Sequence, residues 1–424
     1  MSDENNFSQI LDSLLFPKIF QTFKIAVQPT KLVIALLAVT IICLAGWVMD
    51  LGNTVVVTVD QQGNIVTSEL TIYVSSPNLT ASYIENSESD EQNRGVFSTL
   101  WDFATEKFRK IVNALFAFDI SEIASNITEY FKAFGWAIRY HFLYCVLFFA
   151  IMLAVISIAA GAICRISALQ FAKGEKPGLV ESLQFAFEKF ASLIAAPLIP
   201  IIIISIVGMV IALLGFIGNL PWAGEFIIAA FTPLAIVAGA IITVFIIGTV
   251  AGFNLMYPAI AYENSDCFDA INRAYNYLLT KPWSLAFYTI IAALYGAVCY
   301  TFLRIFVFVL LYTTHSFLEL GVIASNSTDQ ASKLTAIWPQ PTFTDLLGNS
   351  VLQTNWSETI PAIFIRLCVL LVVGLLVSFV ISFYFSASTI IYAALRKKAD
   401  GIPLEQIHTH PDYPQDEENH SQTQ

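Results

Sequence analysis

A cluster of polar and charged residues lies in one short segment, from Pro258 to Ala274. Its ionisable side chains are Glu263, Asp266, Asp269 and Arg273. Carboxylates beside a guanidinium can bind a cation or a lipid headgroup, so one interpretation is a cytoplasmic polar binding site. The other is structural: Asp266 caps a helix, Asp269 lies in its first turn, and Arg273 pairs with Asp269 four residues away. The spacing favours the structural interpretation, because these rules already give the residues ordinary tasks.

Arg304 and Arg366 lie within long apolar stretches, where a charge is costly and therefore suggests a function. Arg304 is about eight residues from the outer end of its stretch, roughly 12 Å at helical rise, and Arg366 lies near the outer end of another. Together they are candidates for contact with an anion or a lipid phosphate. The alternative is that Arg304 hydrogen-bonds to Ser, Thr, Tyr or backbone oxygen of a neighbouring helix, and we favour this alternative.

The sequence contains no recognisable catalytic or metal-binding pattern. His408 and His410 lie in an acidic tail without an accompanying cysteine, and a solvated tail explains this composition better than a metal site. There is no glycine-rich phosphate loop, no zinc-protease motif, and no Ser, His and Asp set whose context brings it together. We therefore expect no catalytic residue, no cofactor, no metal and no enzymatic activity.

Long apolar stretches must position these residues. Apolar residues also dominate the composition. Of the 424 residues, 56% are hydrophobic and 12% are charged, whereas a soluble domain has roughly 25% charged residues. Six stretches approach or exceed the roughly 20 residues that cross a bilayer core. They are Leu32–Met49, Ala137–Ile163, Leu193–Phe216, Phe226–Met256, Leu285–Tyr312 and Ala362–Ala394. The sequence therefore predicts a multi-pass membrane protein with six transmembrane helices.

The distribution of basic residues predicts the orientation. If the N-terminus is inside, the short inner segments carry most of the Lys and Arg, and the outer ones lie mainly in one long segment. Basic residues near spans favour the cytoplasmic side, so both termini are expected in the cytoplasm. All six cysteines fall in spans or at their inner ends, so no outer disulfide is expected. We favour the cytoplasmic membrane of a bacterium.

The stretches divide the chain into five parts. These are an amphipathic lead-in at 1–31, the first transmembrane helix at 32–50, an extracytoplasmic insertion at 51–135, a five-helix region at 136–394 and a disordered cytoplasmic tail at 395–424. The lead-in either lies on the inner membrane surface or packs on the inner ends of the spans. The tail is polar and acidic, a composition that does not form a core.

The insertion is predicted to combine a β-hairpin with two amphipathic helices. The segments Thr54–Asp60 and Asn64–Val74 alternate β-branched and polar residues around a turn. Two apolar stripes follow at helical spacing, the first from Phe97 to Leu115 and the second from Ile123 to Phe134. An insertion with a single hairpin makes a poor independent core. It is therefore expected to lean on the membrane surface, on the outer loop 313–361 or on a second subunit.

The inner side carries a weak internal repeat. Two units each consist of a span, a short amphipathic helix and a further span, with the helices expected near 179–190 and 266–279. Parallel repeats of this kind occur in transporters. They also arise whenever a family grows by adding hairpins, so the repeat does not select a function.

Three segments are similar to a known group of proteins. They are Pro258 to Glu263 with the following Ala270-Ile271-Asn272-Arg273, the run Ile391-Tyr392-Ala393-Ala394-Leu395-Arg396 with Asp400-Gly401 after it, and Gly161–Ile166. In these motifs the chain resembles an uncharacterised family of bacterial polytopic membrane proteins, a group that includes the membrane domain attached to some glycerophosphodiester phosphodiesterases. The resemblance implies the fold of the last five spans. It implies no phosphodiesterase activity, because the sequence has neither room for that barrel nor its metal-binding residues.

The sequence thus predicts an all-α integral membrane bundle of six helices with a small extracytoplasmic α+β insertion after the first. For function, the amphipathic helices and the insertion favour a non-enzymatic membrane scaffold or accessory subunit. The alternative is a small-molecule or lipid transporter, favoured by the repeated hairpins, by Arg304 and by three prolines within spans, Pro197, Pro200 and Pro233. The expected partners are the lipid bilayer and, through the insertion, other membrane or extracytoplasmic proteins; no nucleic acid is expected.

Overall fold

The computed structural model describes residues 16–407, with gaps at 53, 60–64, 86–91, 221–223, 322–332, 344 and 348–355. The first half of the predicted lead-in, the turn of the predicted hairpin and the tail from His408 onwards lie outside the described residues. All structural statements below concern the described part of the chain.

The described elements are mostly helical. In chain order they are α1 (Thr22–Ala26), α2 (Pro29–Met49), β1 (Val55–Val59), β2 (Ile65–Ser68), α3 (Glu69–Ser75), α4 (Thr80–Glu85), β3 (Gln92–Arg94), α5 (Val96–Ala117), α6 (Ile120–Tyr140), α7 (Phe142–Lys173), α8 (Leu179–Glu188), α9 (Phe190–Ile217), α10 (Gly224–Glu263), α11 (Cys267–Thr280), α12 (Pro282–Gly321), α13 (Lys333–Ile337) and α14 (Trp356–Asp400). Short 3-10 helices occupy Phe16–Gln21, Asp50–Gly52 and Pro77–Leu79.

Six of these helices are long and apolar enough to cross a membrane: α2, α7, α9, α10, α12 and α14. They are consistent with a multi-pass membrane protein, as the hydropathy predicts. Helices α10 and α12 have 40 residues each and α14 has 45, which corresponds to about 60 to 67 Å at helical rise. A hydrocarbon core is only about 30 Å thick, so these three helices are long enough to extend well beyond it.

The second long helix begins later than the sequence predicts. The predicted span starts at Ala137, but residues up to Tyr140 belong to α6, and α7 starts at Phe142. His141 separates the two helices with non-helical dihedral angles, φ −129° and ψ 44°. Hydropathy does not detect this break, because both flanking segments are apolar.

The insertion contains the predicted hairpin and a third strand. The sheet order is β2-β1-β3, with β1 antiparallel to both neighbours. The second strand is shorter than predicted, because Ser68 accepts a hydrogen bond from the Thr71 N–H and starts α3. Val55 and Val57 of β1 pack in a core with Leu70 and Trp136, among others. The insertion therefore has a hydrophobic core, and Tyr144 and Cys145 of α7 pack against it.

The chain divides into two compact units. One consists of residues 1–31, 157–291 and 383–424, and the other of residues 32–156 and 292–382. The first unit holds the two predicted inner amphipathic helices, which the structure places at α8 and α11. The second holds the insertion and the loop after α12.

The beginning of the predicted disordered tail is ordered in the first unit. Helix α14 continues to Asp400, and the segment that follows it is described to Ile407. Leu404 and Ile407 are buried, as is Arg396. The disorder prediction thus fails for 395–407, because composition does not reveal that these few side chains have a place to pack.

Candidate functional site

The predicted polar segment forms the corner between α10 and α11. Asn264 adopts a left-handed conformation, φ 54°, which ends α10, and Lys189 donates a hydrogen bond of 2.7 Å to its carbonyl oxygen. Asp266 accepts one of 3.1 Å from the Asp269 N–H and thereby caps α11. Arg273 Nε lies 2.9 Å from an Asp269 carboxylate oxygen. Asp266, Asp269 and Arg273 therefore have the structural roles that the spacing predicts.

Glu263, the fourth member of the cluster, has a long-range partner that the spacing does not reveal. Its carboxylate is buried and lies 2.6 Å from Nε of Arg396, which is buried as well. A second guanidinium nitrogen of Arg396 lies 3.3 Å from the other carboxylate oxygen. The Tyr392 hydroxyl donates to Glu263 at 3.3 Å, and Arg273 approaches to 4.0 Å. Glu263 is thus the centre of a closed ionic cluster.

The same cluster holds the segment after α14. Arg396 donates a hydrogen bond of 2.6 Å to the Gln406 carbonyl oxygen, and the Tyr262 hydroxyl donates one of 2.7 Å to that of Leu404. The Tyr277 hydroxyl donates to Asp400 at 2.5 Å. Burial and the neighbouring Asp400 carboxylate raise the pKa of Tyr277. Each of these hydrogen bonds holds the end of α14 or the segment that follows it.

The cluster brings together residues from two segments that are far apart in the sequence. Glu263 and Arg273 come from the first segment, and Tyr392, Arg396 and Asp400 from the second. Glu263 and Arg396 are therefore buried counter-charges, and the removal of either partner is expected to be destabilising. Within the described part of the chain, no group of three or more His, Cys, Asp or Glu side chains is arranged to hold a metal ion.

Arg304, predicted as an anion contact, serves the loop after α12. Its guanidinium donates to the Tyr300 hydroxyl and to the Phe343 carbonyl oxygen, both at 2.9 Å, and lies 5.1 Å from the centre of the Phe343 ring. Its side chain is mostly buried, whereas Arg366 is exposed on α14. The two arginines therefore have different environments.

The loop fixed by Arg304 packs against α12 and α14. Leu334, Trp338 and Leu346 form a core with residues of both helices, and His315 lies 3.0 Å from the Trp338 carbonyl oxygen. One turn before Arg304, the Tyr300 ring contacts the Phe108 ring of α5 at 5.3 Å between centroids. Arg304 thus lies at a level of α12 where the insertion and the loop also pack.

The sequence did not predict a group of hydrogen bonds centred on Asp50, which lies directly after α2. One carboxylate oxygen accepts from the Phe97 N–H at 2.8 Å and from the Tyr144 hydroxyl at 2.9 Å. The other accepts from the N–H and the hydroxyl of Ser98, at 2.9 and 2.7 Å. Asp50 therefore caps α5 from outside the helix. The available signal was that α5 is preceded by Gly95, which has no side chain for capping.

A second missed group joins α3 to the end of α6. The Trp136 indole N–H donates to Glu69 at 2.9 Å, and Nε2 of His141 lies 3.8 Å from the same oxygen. Burial raises the pKa of the Glu69 carboxyl, although hydrogen bonds from Trp136 and the Val56 backbone oppose that shift. Burial also lowers the pKa of His141. Both groups are therefore biased towards their neutral forms.

No protein-family model, curated protein or solved structure matches the chain.

Proposed function

We propose that the protein is a multi-pass membrane scaffold or accessory subunit without enzymatic activity. Both termini lie in the cytoplasm, and the insertion lies on the opposite side of a bacterial cytoplasmic membrane. The observation that carries this proposal is the closed ion pair between Glu263 and Arg396. Two buried charges that are paired with each other are not available to a substrate.

The other polar side chains of the long helices support the same conclusion. Lys31 is fully buried and donates to the Ile25 carbonyl oxygen at 3.0 Å and to Gln170 at 3.1 Å. Arg165 donates to the Ala261 carbonyl oxygen at 2.8 Å, and Arg304 binds its loop. A transporter needs polar groups that converge on a site near the bilayer midplane. Here each of these cations is engaged by its own chain.

The insertion supports an accessory role because it is firmly attached to the spanning helices. Asp50 joins the end of α2 to the start of α5, and Tyr144 of α7 binds the same carboxylate. A rigid domain on a membrane anchor presents a constant surface to a partner, which lowers the entropic cost of binding. The family resemblance of the α10–α11 corner adds the expectation of a shared membrane fold.

The runner-up is a small-molecule or lipid transporter. The observation in its favour is the presence of Pro197 and Pro200 inside α9 and of Pro233 and Pro258 inside α10. Proline removes a backbone hydrogen bond and permits a helix to bend. Transporters use such interrupted helices at their binding sites.

A flux measurement separates the two functions. The purified protein is reconstituted into liposomes, and the efflux of chloride and of inorganic phosphate is compared with that of empty liposomes. We expect no difference. Efflux that depends on the protein and is lost in Arg304→Gln, but not in a matched Arg109→Gln variant, would replace the accessory proposal with anion transport.

A photo-crosslinking measurement tests the accessory role directly. A benzophenone amino acid replaces Leu79, which is exposed on the insertion, or as a control Val210, which is exposed on α9. In intact cells we expect a discrete protein adduct at position 79 and only lipid adducts at position 210. The absence of a protein adduct from position 79 and from neighbouring exposed positions of the insertion would contradict this role.

A further inference from the structure

Helix α6 has an apolar side that the protein leaves uncovered. The residues Ile127, Phe131, Phe134 and Ile138 follow one another at helical spacing and are 41–66% exposed. At 3.6 residues per turn, the charged residues of α6 lie on the opposite side of the helix. These are Glu122, Glu129, Lys132 and Arg139. A third side packs against the core of the insertion through Ala133, Trp136 and Ala137.

This apolar side continues onto α7. The chain folds back at His141, because the ring of Phe134, seven residues before the break, contacts the ring of Phe149, eight residues after it, at 6.1 Å. The first turns of α7 also expose large apolar side chains, namely Phe142, Leu143, Val146 and Leu147. Helix α7 is long and apolar enough to cross a membrane. The exposed side of α6 thus adjoins a helix whose own exposed side faces lipid in a bilayer.

The turn between α5 and α6 has an aromatic residue at a position where a soluble protein usually has a small or polar one. Phe118 adopts a left-handed conformation, φ 53° and ψ 30°, at the end of α5. Glycine or asparagine is the usual residue in this conformation. Phe118 is 75% exposed, and its neighbours Phe116 and Ile120 are exposed as well. Exposure of such a large apolar side chain is more favourable where the surroundings are apolar.

We propose that the lipid bilayer covers this surface, so that α6 and the α5–α6 turn lie in one leaflet as an interfacial wedge. The wedge face consists of Phe116, Phe118, Ile120, Ile127, Phe131 and Phe134. Amphipathic helices of this kind bury their apolar side at the boundary between headgroups and acyl chains and keep the charged side in water. The proposal rests on the proposed membrane location, but it holds for either orientation of the chain.

The charges around the wedge agree with an interfacial position. Lys107 of α5 pairs with Glu129, and Lys132 donates to the Val74 carbonyl oxygen at 3.1 Å. These contacts keep the charged side of α6 turned towards the insertion. A protein partner would not require the apolar side to be continuous with a spanning helix, whereas a bilayer does.

Spin labels on the full-length protein in liposomes test the proposal. In a background in which the six cysteines are replaced by alanine, single cysteines are placed at Phe118, at Phe131 and at the control position Ser125, which is exposed away from the wedge face. Accessibility is measured to oxygen, which concentrates in the bilayer, and to a water-soluble nickel chelate. We expect labels at 118 and 131 to favour oxygen and the label at 125 to favour the chelate.

The other outcomes are equally informative. Access of the chelate at 118 and 131 overturns the wedge and shows a surface in water. Protection from both reagents overturns it in favour of a second copy or a protein partner. A fourth label, at Val210 of α9, tests the membrane location separately from the wedge, because this label must favour oxygen if the chain spans a membrane at all. Should the background protein fail to fold, brominated-lipid quenching of Phe131→Trp, with Ser125→Trp as control, reports the same contrast.

Discussion

The carboxylate of Asp50 accepts a hydrogen bond of 2.8 Å from the backbone N–H of Phe97, which lies 47 residues later. The first N–H groups of a helix have no partner inside the helix, and a side-chain acceptor usually comes from the residue just before it. Here the acceptor comes from the end of the preceding spanning helix. One hydrogen-bonded group therefore joins the membrane anchor to the insertion.

The Asp50 cap predicts a loss of stability on truncation. Asp50→Ala removes four hydrogen bonds to a nearly buried carboxylate, so we expect a loss of at least about 2 kcal/mol, the upper end of the range for helix caps. Thermal unfolding of the full-length protein in nanodiscs measures it. Asp119→Ala is the matched control, because Asp119 caps α6 from an exposed position. Equal losses in the two variants would show that Asp50 is an ordinary cap.

Gly95 is predicted to be required because the position has no room for a side chain, and not because of its backbone conformation. Its dihedral angles are accessible to any residue, φ −75° and ψ 150°, but a Cβ atom would lie 2.0 to 2.4 Å from Asp50 side-chain atoms. We expect Gly95→Ala to cost about 1 to 3 kcal/mol, as overpacking does. Gly178 precedes α8 with similar angles and open space around it, so Gly178→Ala should change the unfolding temperature little. A tolerated Gly95→Ala would mean that Asp50 can move.

The ion pair of Glu263 is predicted to matter far more than exposed pairs. Glu263→Gln leaves Arg396 buried without its counter-charge, and breaking a buried pair typically costs about 3 to 5 kcal/mol. Glu106→Gln, which breaks an exposed pair with Lys110, should cost less than about 0.5 kcal/mol. Unfolding midpoints measure both. Faster proteolysis between Asp400 and Ile407 in Glu263→Gln alone would show that the segment after α14 is released. Unchanged proteolysis would contradict a role of the ion pair in holding this segment.

The buried carboxyl of Glu69 predicts a pH-dependent difference between wild type and Glu69→Gln. Burial raises the pKa of Glu69 above its ordinary value of 4.5, so the folded protein holds this proton more tightly than the unfolded chain. The stability gained is fully present below pH 4.5 and is lost as the pH rises through the raised pKa. Glutamine stays neutral, so the unfolding temperature of Glu69→Gln should rise relative to wild type between pH 4 and pH 7.

The control for this difference is Glu122→Gln, which changes an exposed carboxylate on α6. His141, 3.8 Å from Glu69, has a pKa lowered by burial, so its contribution is present above its ordinary pKa of 6.5 and is lost as the pH falls. His141 is present in both proteins, and comparing the two largely removes its effect. A difference for Glu69→Gln that is constant with pH would show that the pKa of Glu69 is the same in the folded and the unfolded protein.

The sequence predicted the elements whose signals are local. Six apolar stretches gave the long helices, alternation around a turn gave the β1–β2 hairpin, and helical spacing gave α5, α6, α8 and α11. The capping of α11 by Asp266 and the pairing of Asp269 with Arg273 also followed from spacing alone. Each of these features depends on residues that are close in the sequence, within one apolar stretch, one hairpin or one helical turn, so the order of residues is enough to predict it.

The partners of the buried charges were decided by the tertiary structure. Glu263 and Arg396 are 133 residues apart, and Asp50 and Phe97 are 47 apart; nothing in the local pattern of either pair points to the other. The sequence likewise placed Arg304 inside a span but did not show that a loop folds back to receive its guanidinium. Hydropathy and periodicity indicate which side chains of a segment face water and which face lipid or the protein interior. Which segments contact each other depends on the packing of the whole chain, and this packing decides which partners the buried charges have.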